Sequence, residues 1–308
     1  MACIVIALGG NALLTRGQSP RMTTQRANAR VAARAIAALA PGNRIVVTHG
    51  NGPQVGLLAL QAAAHDPDVP VPLDVLGAES EGMIGYLLEQ ELRAALPEGT
   101  EVATLLTLVE VDAADPGFAA PSKFIGPVYT RAEAERLAAA EGWTVRPDGT
   151  AWRRVVASPM PRRILQLGPI GWLLERGAVV IAAGGGGIPV TRGGDGRLTG
   201  VEAVIDKDHC SALLACALEA DALLLATDVA AVFRDWGTPG ARPIAAARAD
   251  EFDGHDLPAG SMGPKVDAAC AFARQRRRAA VIGALADLPA MLRGEAGTRI
   301  LPPDYDTQ

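Results

Sequence analysis

Lysine is almost missing from this chain. Of 29 basic side chains in 308 residues only Lys123, Lys207 and Lys265 are lysines, and the rest are arginine. Cysteine and histidine are as thin, with four of each. Cys3, Cys210, Cys216 and Cys270 form no C-x-x-C pair, which excludes a disulfide framework or zinc ribbon and fits a reducing compartment. The histidines show no metal-ligand spacing, so no resident metal is expected. No apolar run reaches the ~18 residues of a membrane span, and the longest candidate, ALLLATDVAAVF, is broken by Asp228. No signal-peptide pattern precedes the first strand, so a cytoplasmic protein is expected. Aromatics make up 4% and net charge is −5. A nucleic-acid binder would instead show a basic stripe interleaved with aromatics. The one basic cluster, RQRRR at 274–278, reads as the solvated end of a helix. Also absent are the G-x-G-x-x-G of a dinucleotide fold, the G-K-[ST] of a P-loop and any Ser/His/Asp or Cys/His nucleophile motif.

What is present is a globular composition, 49% hydrophobic and 20% charged, long enough for a full core. Short apolar strands alternate with longer helical patterns, which predicts an α/β fold around a mostly parallel sheet. Strands are expected at 3–8, 44–50, 101–111, 178–183, 222–227 and 279–283. Helices are expected at 23–40, 53–64, 78–96, 162–176 and 208–219, and from 264 onward. Residues 112–160 break the rhythm with prolines, glycines, two tryptophans and one short helix at 131–141, as a small inserted subdomain would.

Three strands run into glycine: Gly9-Gly10-Asn11, Gly50-Asn51-Gly52 and Gly184–Gly187, the last including Gly185 and Gly186. Ligands of open α/β sheets bind beyond the carboxyl ends of the strands, and glycine lets backbone N–H groups close on an anion. The lysines sharpen this. A sequence that uses arginine for ordinary surface charge retains lysine where a slim, compact point charge is needed. Lys207, between Asp206 and Asp208, and Lys265, after SMGP, fall at expected helix N-termini, which themselves favour anions. Lys123 lies in the insertion. Phosphoryl transfer needs this equipment, since the protein's work there is to hold negative charge. His49 in THGNG is the nearest candidate base and reads instead as a brace for its loop.

Together ALGGNALL, THGNGPQVG, EGMIGYLL, SKFIGPVY, WRRVVASPMP, AAGGGGIPV, GVEAVIDKD and GSMGPKVDAA resemble the carbamate kinases of the amino-acid kinase superfamily, in order from residue 3 to about 300. The resemblance implies one three-layer α/β/α domain, with an acceptor lobe over about 1–200, a nucleotide lobe over about 201–308 and a protruding subdomain over about 118–160. It implies a homodimer in arginine metabolism that moves the ATP γ-phosphoryl to carbamate, reversibly, giving ADP and carbamoyl phosphate with magnesium. Gly9, Gly10, Asn11, Gly50, Asn51 and Gly52 would meet phosphate or substrate. Lys123, Lys207 and Lys265 would hold the transferring and leaving groups, with Asp208 orienting the lysines. Thr227, Asp228 and Met262 would lie near the nucleotide. Many relatives in the superfamily carry a lysine where Ala7 stands, and Lys123 would supply that missing cation.

The chain departs from the family pattern at Phe124, usually proline, at Ala151 and at Ala230, often aspartate. A kinase for another carboxylate, phosphonate or phosphate stays open, as does a non-catalytic sensor on the same fold. The composition of 118–160 further suggests a lid that brings Lys123 to the phosphates only on closing.

Overall fold

The computed structural model describes residues 1–10, 13–14, 18, 21–66, 69–253 and 262–305. β1 (Ala2–Leu8) is buried from Cys3 to Leu8, and burial on both faces explains its unbroken apolar run. α1 (Met22–Ala37) buries Ala29, Ala32, Ala33 and Ile36, a stripe at helical spacing. β2 (Asn43–His49) leads into α2 (Gly52–His65), which has Pro53 in its first turn, where proline loses no helical hydrogen bond. α3 (Leu73–Ala95) begins earlier than its pattern suggests, because Leu73 and Leu76 are themselves buried.

The expected strand 101–111 is two strands of different sheets, β3 (Val102–Thr104) and β4 (Leu108–Val111). The break has a cause: the Thr107 N–H donates to Glu81 Oε2 at 3.1 Å instead of continuing a ladder. The insertion holds β5 (Lys123–Tyr129), α4 (Arg131–Glu141), β6 (Thr144–Asp148) and β7 (Ala151–Val156). Thr130 caps α4 by accepting from the Glu133 N–H, and Gly142 ends it in the left-handed conformation. The expected helix 162–176 opens as a strand, β8 (Pro161–Ile164), antiparallel to β4, and only then becomes α5 (Leu167–Glu175). Next come β9 (Val179–Ile181), β10 (Ile188–Arg192), β11 (Leu198–Gly200), α6 (Lys207–Ala217) and β12 (Ala222–Thr227). β13 (Phe233–Arg234) and β14 (Arg242–Pro243) form a small hairpin. β15 (Ala246–Arg248), α7 (Met262–Arg276), β16 (Ala280–Ala284), α8 (Leu288–Arg293) and β17 (Thr298–Leu301) complete the described chain.

Among the described residues the largest sheet has eight strands, ordered β15-β17-β16-β12-β1-β2-β9-β3. Every pair in it is parallel except β16–β17. Alternate residues of β1 feed two cores. Cys3, Val5 and Ala7 pack with residues of α5, α6 and α7, while Ile4, Ile6 and Leu8 pack with residues of α1, α3 and α8. The sheet is therefore the middle of three layers. A third core joins Val55 of α2 and Leu73 and Leu76 of α3 to Ile125 of β5 and Val156 of β7. It seats the antiparallel sheet β5-β7-β6, and Gly56 is required there because a Cβ would fall 1.9 Å from Gly126 Cα.

Candidate functional site

The three glycine loops meet because β1, β2 and β9 end side by side in a parallel sheet. Leu8 is in register with both His49 and Ala226. The Gly9 N–H donates to the Ala226 carbonyl at 2.9 Å and the Gly50 N–H to the Leu8 carbonyl at 3.1 Å. Contact is at backbone distance. A Cβ on Gly50 would lie 2.9 Å from Gly10 N, and one on Gly185 would lie 2.1 Å from Asn51 Nδ2. Gly185 and Gly186 also have φ of +67° and +99°, a region side chains resist. Gly186 backs onto the Ile205 carbonyl, and Gly52, at the start of α2, faces the Phe124 carbonyl. The glycine loops are thus joined to the residues just before Lys207 and just after Lys123.

The three lysines converge on two aspartates. Asp208 Oδ1 takes Lys207 Nζ at 2.6 Å, and Oδ2 takes Lys265 Nζ at 3.3 Å. All three side chains are buried, each 5–7% exposed. Asp206 caps α6, its Oδ1 accepting from the N–H groups of Asp208 and His209 at 2.8 and 3.2 Å. Its Oδ2 accepts from Lys123 Nζ at 2.5 Å. Burial pulls the Lys207 pKa below the ordinary lysine value, with the Lys265 charge adding to this and Asp208 acting against it. Burial acts in the same sense on Lys123, but Asp206 outweighs it and the pKa rises. On Asp206 and Asp208 burial acts upward, and the facing lysines overcome it to hold both acidic.

Beneath the loops lies a buried polar floor. Thr48 Oγ1 and Ser211 Oγ are 2.6 Å apart, and Ser211 donates to the Lys207 carbonyl at 2.7 Å, joining β2 to α6. Asn51 Nδ2 donates to Ser80 Oγ at 2.8 Å. Glu81, 1% exposed, accepts from the Gly184 N–H at 2.8 Å as well as from Thr107. Burial raises its pKa to about 8, against the pull of those bonds. Burial lowers His49 to about 4, so the ring is neutral near pH 7. Its Nδ1 lies 3.3 Å from the Gly50 carbonyl and the ring lies against Gly184, consistent with a brace.

The structure brings together Gly9, Gly10, Gly50, Asn51, Gly52, Gly185, Gly186, Lys123, Lys207, Lys265 and Asp208. Thr227 borders Gly9 and donates to Asp228 Oδ1 at 3.1 Å. Asp228 is exposed, and Met262, at the start of α7, is half-buried against the first core. Asn11 lies outside the described residues. Lys123 sits on Asp206, inside the site. Of the departures, Phe124 lies under the Arg153 guanidinium at 5.8 Å, Ala151 pairs with Asp148 at the turn from β6 to β7, and Ala230 is exposed. Sequence reasoning missed Asp206 and Glu81. Asp206 carried a signal as an N-cap aspartate directly before a helix. Glu81 carried another, being a carboxylate in step with buried Leu73, Leu76, Ile84 and Leu88 of α3.

Three glycine loops abutting at the ends of parallel strands, with buried lysines beside them, fit a phosphotransferase, and residues 2–283 match the amino acid kinase family model, to which the chain belongs. Within that family it stands with the carbamate kinases. It is 60% identical to carbamate kinase of Rhizobium meliloti (strain 1021) over 299 residues, covering 96% of this chain and 92% of the relative. Carbamate kinase from Giardia lamblia bound to citric acid superposes with a TM-score of 0.91 at 39% identity, covering 98% of both chains. The same enzyme bound to AMP-PNP gives 0.86, again at 39% identity and 98% of each chain. Among the described residues no helix is long and apolar enough to cross a membrane.

Proposed function

We propose that this enzyme transfers the ATP γ-phosphoryl reversibly to carbamate, giving ADP and carbamoyl phosphate. The observation that carries this reading is the convergence of three scarce lysines on two aspartates beside three abutting glycine loops. Carbamate is an anion at neutral pH and needs no general base, which suits a site where His49 is buried and neutral. The barrier is repulsion between two anions. Gly10, Asn11, Asn51 and Gly52 offer backbone N–H groups and an amide to the substrates, while Gly9 and Gly50, whose N–H groups bond to the Ala226 and Leu8 carbonyls, let the loops abut, with Gly185 and Gly186 beside them. Lys207 and Lys265 offset charge on the moving phosphoryl group and its leaving oxygen, Lys123 adds a third cation from the insertion, and Asp208 orients the first two. Thr227, Asp228 and Met262 border the nucleotide in this reading.

Magnesium enters with the nucleotide. Asp206 and Asp208 are engaged by lysines, and among the described residues no three His, Cys, Asp or Glu side chains gather as a metal site. These residues do not form a cage of their own, so the ion would take its ligands from phosphates and water. No step is assigned to it.

We also propose the two lobes, divided near residue 200, with 118–160 as the protruding part. A homodimer is supported by Tyr86 of α3 and Leu106 beside the edge strand β3, 58% and 50% exposed. Sedimentation analysis tests it, with a monomer at micromolar concentration contradicting it. Four buried free cysteines fit a reducing cytoplasm, and the chemistry fits arginine metabolism. The test of the acceptor is ADP formation from ATP and magnesium. It should require bicarbonate with ammonia, whereas ADP formation independent of both would favour a kinase for another acceptor.

A further inference from the structure

Resting on the phosphoryl-transfer reading above, we propose that Asp206 is a positioning residue which holds Lys123 over the first turn of α6, so that the insertion's only lysine reaches the phosphates. The two oxygens of Asp206 do separate work. Oδ1 caps α6 through the Asp208 and His209 N–H groups, and Oδ2 takes the Lys123 ammonium. Lys123 is the first residue of β5, a strand held by backbone pairing to β7 and by Ile125 in the third core against α2 and α3, neither of which fixes the lysine side chain. Its ammonium is buried, and the Arg153 charge acts against it from β7. A flexible four-carbon stem would swing away toward water. The Asp206 carboxylate is the chief group that reverses the balance, with Asp208 acting in the same sense from farther off.

The cap and the ion pair can be separated chemically. Serine caps a helix about as well as aspartate but offers no charge to Lys123. Asp206→Ser should therefore melt within a few degrees of wild type while kcat falls about 10–100-fold, the range of one misplaced catalytic group. The KM for carbamoyl phosphate should stay level or fall, because the site has lost a negative charge. In a Lys123→Ala background, Asp206→Ser should change kcat by less than about twofold, since groups that act as a unit are not additive. A readout free of turnover accompanies these: trypsin should cut at the exposed Arg131 and Arg136 several-fold faster in Asp206→Ser than in wild type. If Asp206→Ser does not fold, Asp206→Asn keeps the cap and the shape and should show the same pattern. Effects of the two substitutions that multiply, or a kcat loss that only tracks a lost melting temperature, would overturn the proposal. So would unchanged cleavage. Wild-type protein that makes no ATP would instead refute the carbamate kinase reading, while the cleavage comparison would still decide whether Asp206 holds Lys123.

Discussion

Asp208→Asn perturbs the centre of the charge cluster while keeping its shape. Asp208 is the shared partner of two buried ammonium groups, at 2.6 and 3.3 Å. With an effective dielectric of about 20, a unit pair near 3 Å is worth roughly 5 kcal/mol before desolvation. Removing one partner of a buried pair generally costs about 3–5 kcal/mol. The loss is capped here because Lys207, whose pKa burial already lowers, can release its proton instead. If about 3–4 kcal/mol of it is felt in the transition state, kcat falls about 10²–10³-fold. The sign of the pH effect follows. Asp208 is the chief group opposing the downward shift of Lys207, so without it the ammonium is lost at lower pH. A neighbouring opposite charge moves a pKa by about 1–3 units, and the alkaline limb of kcat should move down by about one unit or more. The assay is ATP formation from ADP and carbamoyl phosphate at saturation across pH 6–10. A kcat within about threefold of wild type, with the alkaline limb unmoved, would refute the assignment of Asp208.

Lys207→Ala and Lys265→Ala should each lower turnover about 10²–10³-fold, the scale of one lost oxyanion donor. Arginine at either position should rescue poorly because the forked guanidinium does not fit a pocket shaped for an ammonium; near-normal rates in both arginine variants would contradict this. Gly185→Ala forces a side chain into φ +67° and into the Asn51 amide. It should lose about 1–2 kcal/mol from backbone strain alone, read as a lower urea midpoint, and raise KM for carbamoyl phosphate as Asn51 leaves Ser80. Glu81, raised to about 8 in the fold, contributes stability below its unfolded value near 4.5 that is lost as pH rises through about 8. Wild-type urea midpoints should decline over that window, and Glu81→Gln should decline less; equal slopes would show that Glu81 does not titrate there.

The parallel strands and their amphipathic helices were legible because burial writes them as apolar runs and stripes. Lysine scarcity pointed to three residues far apart in the chain, and the structure gathers them on Asp206 and Asp208. The end of β3 was not legible. The stretch 101–111 reads as one strand, and the carboxylate that interrupts it, Glu81, comes from another element 26 residues earlier. The strands of the insertion were obscured for another reason. β6 is largely exposed and includes Pro147, so no alternation of buried and solvated residues marks it. Asp206 was visible as a neighbour of Lys207, but its partner is 83 residues away, a distance no local pattern reports.

The central claim is that these glycine loops and lysines exchange a phosphoryl group between carbamoyl phosphate and ADP. Purified protein with magnesium, ADP and carbamoyl phosphate tests it most directly, with ATP as the readout and Lys207→Ala as a folded control. The account predicts ATP formation by the wild-type protein and a rate about 10²–10³-fold lower in the variant. Folded wild-type protein that yields no ATP above an enzyme-free control would contradict it.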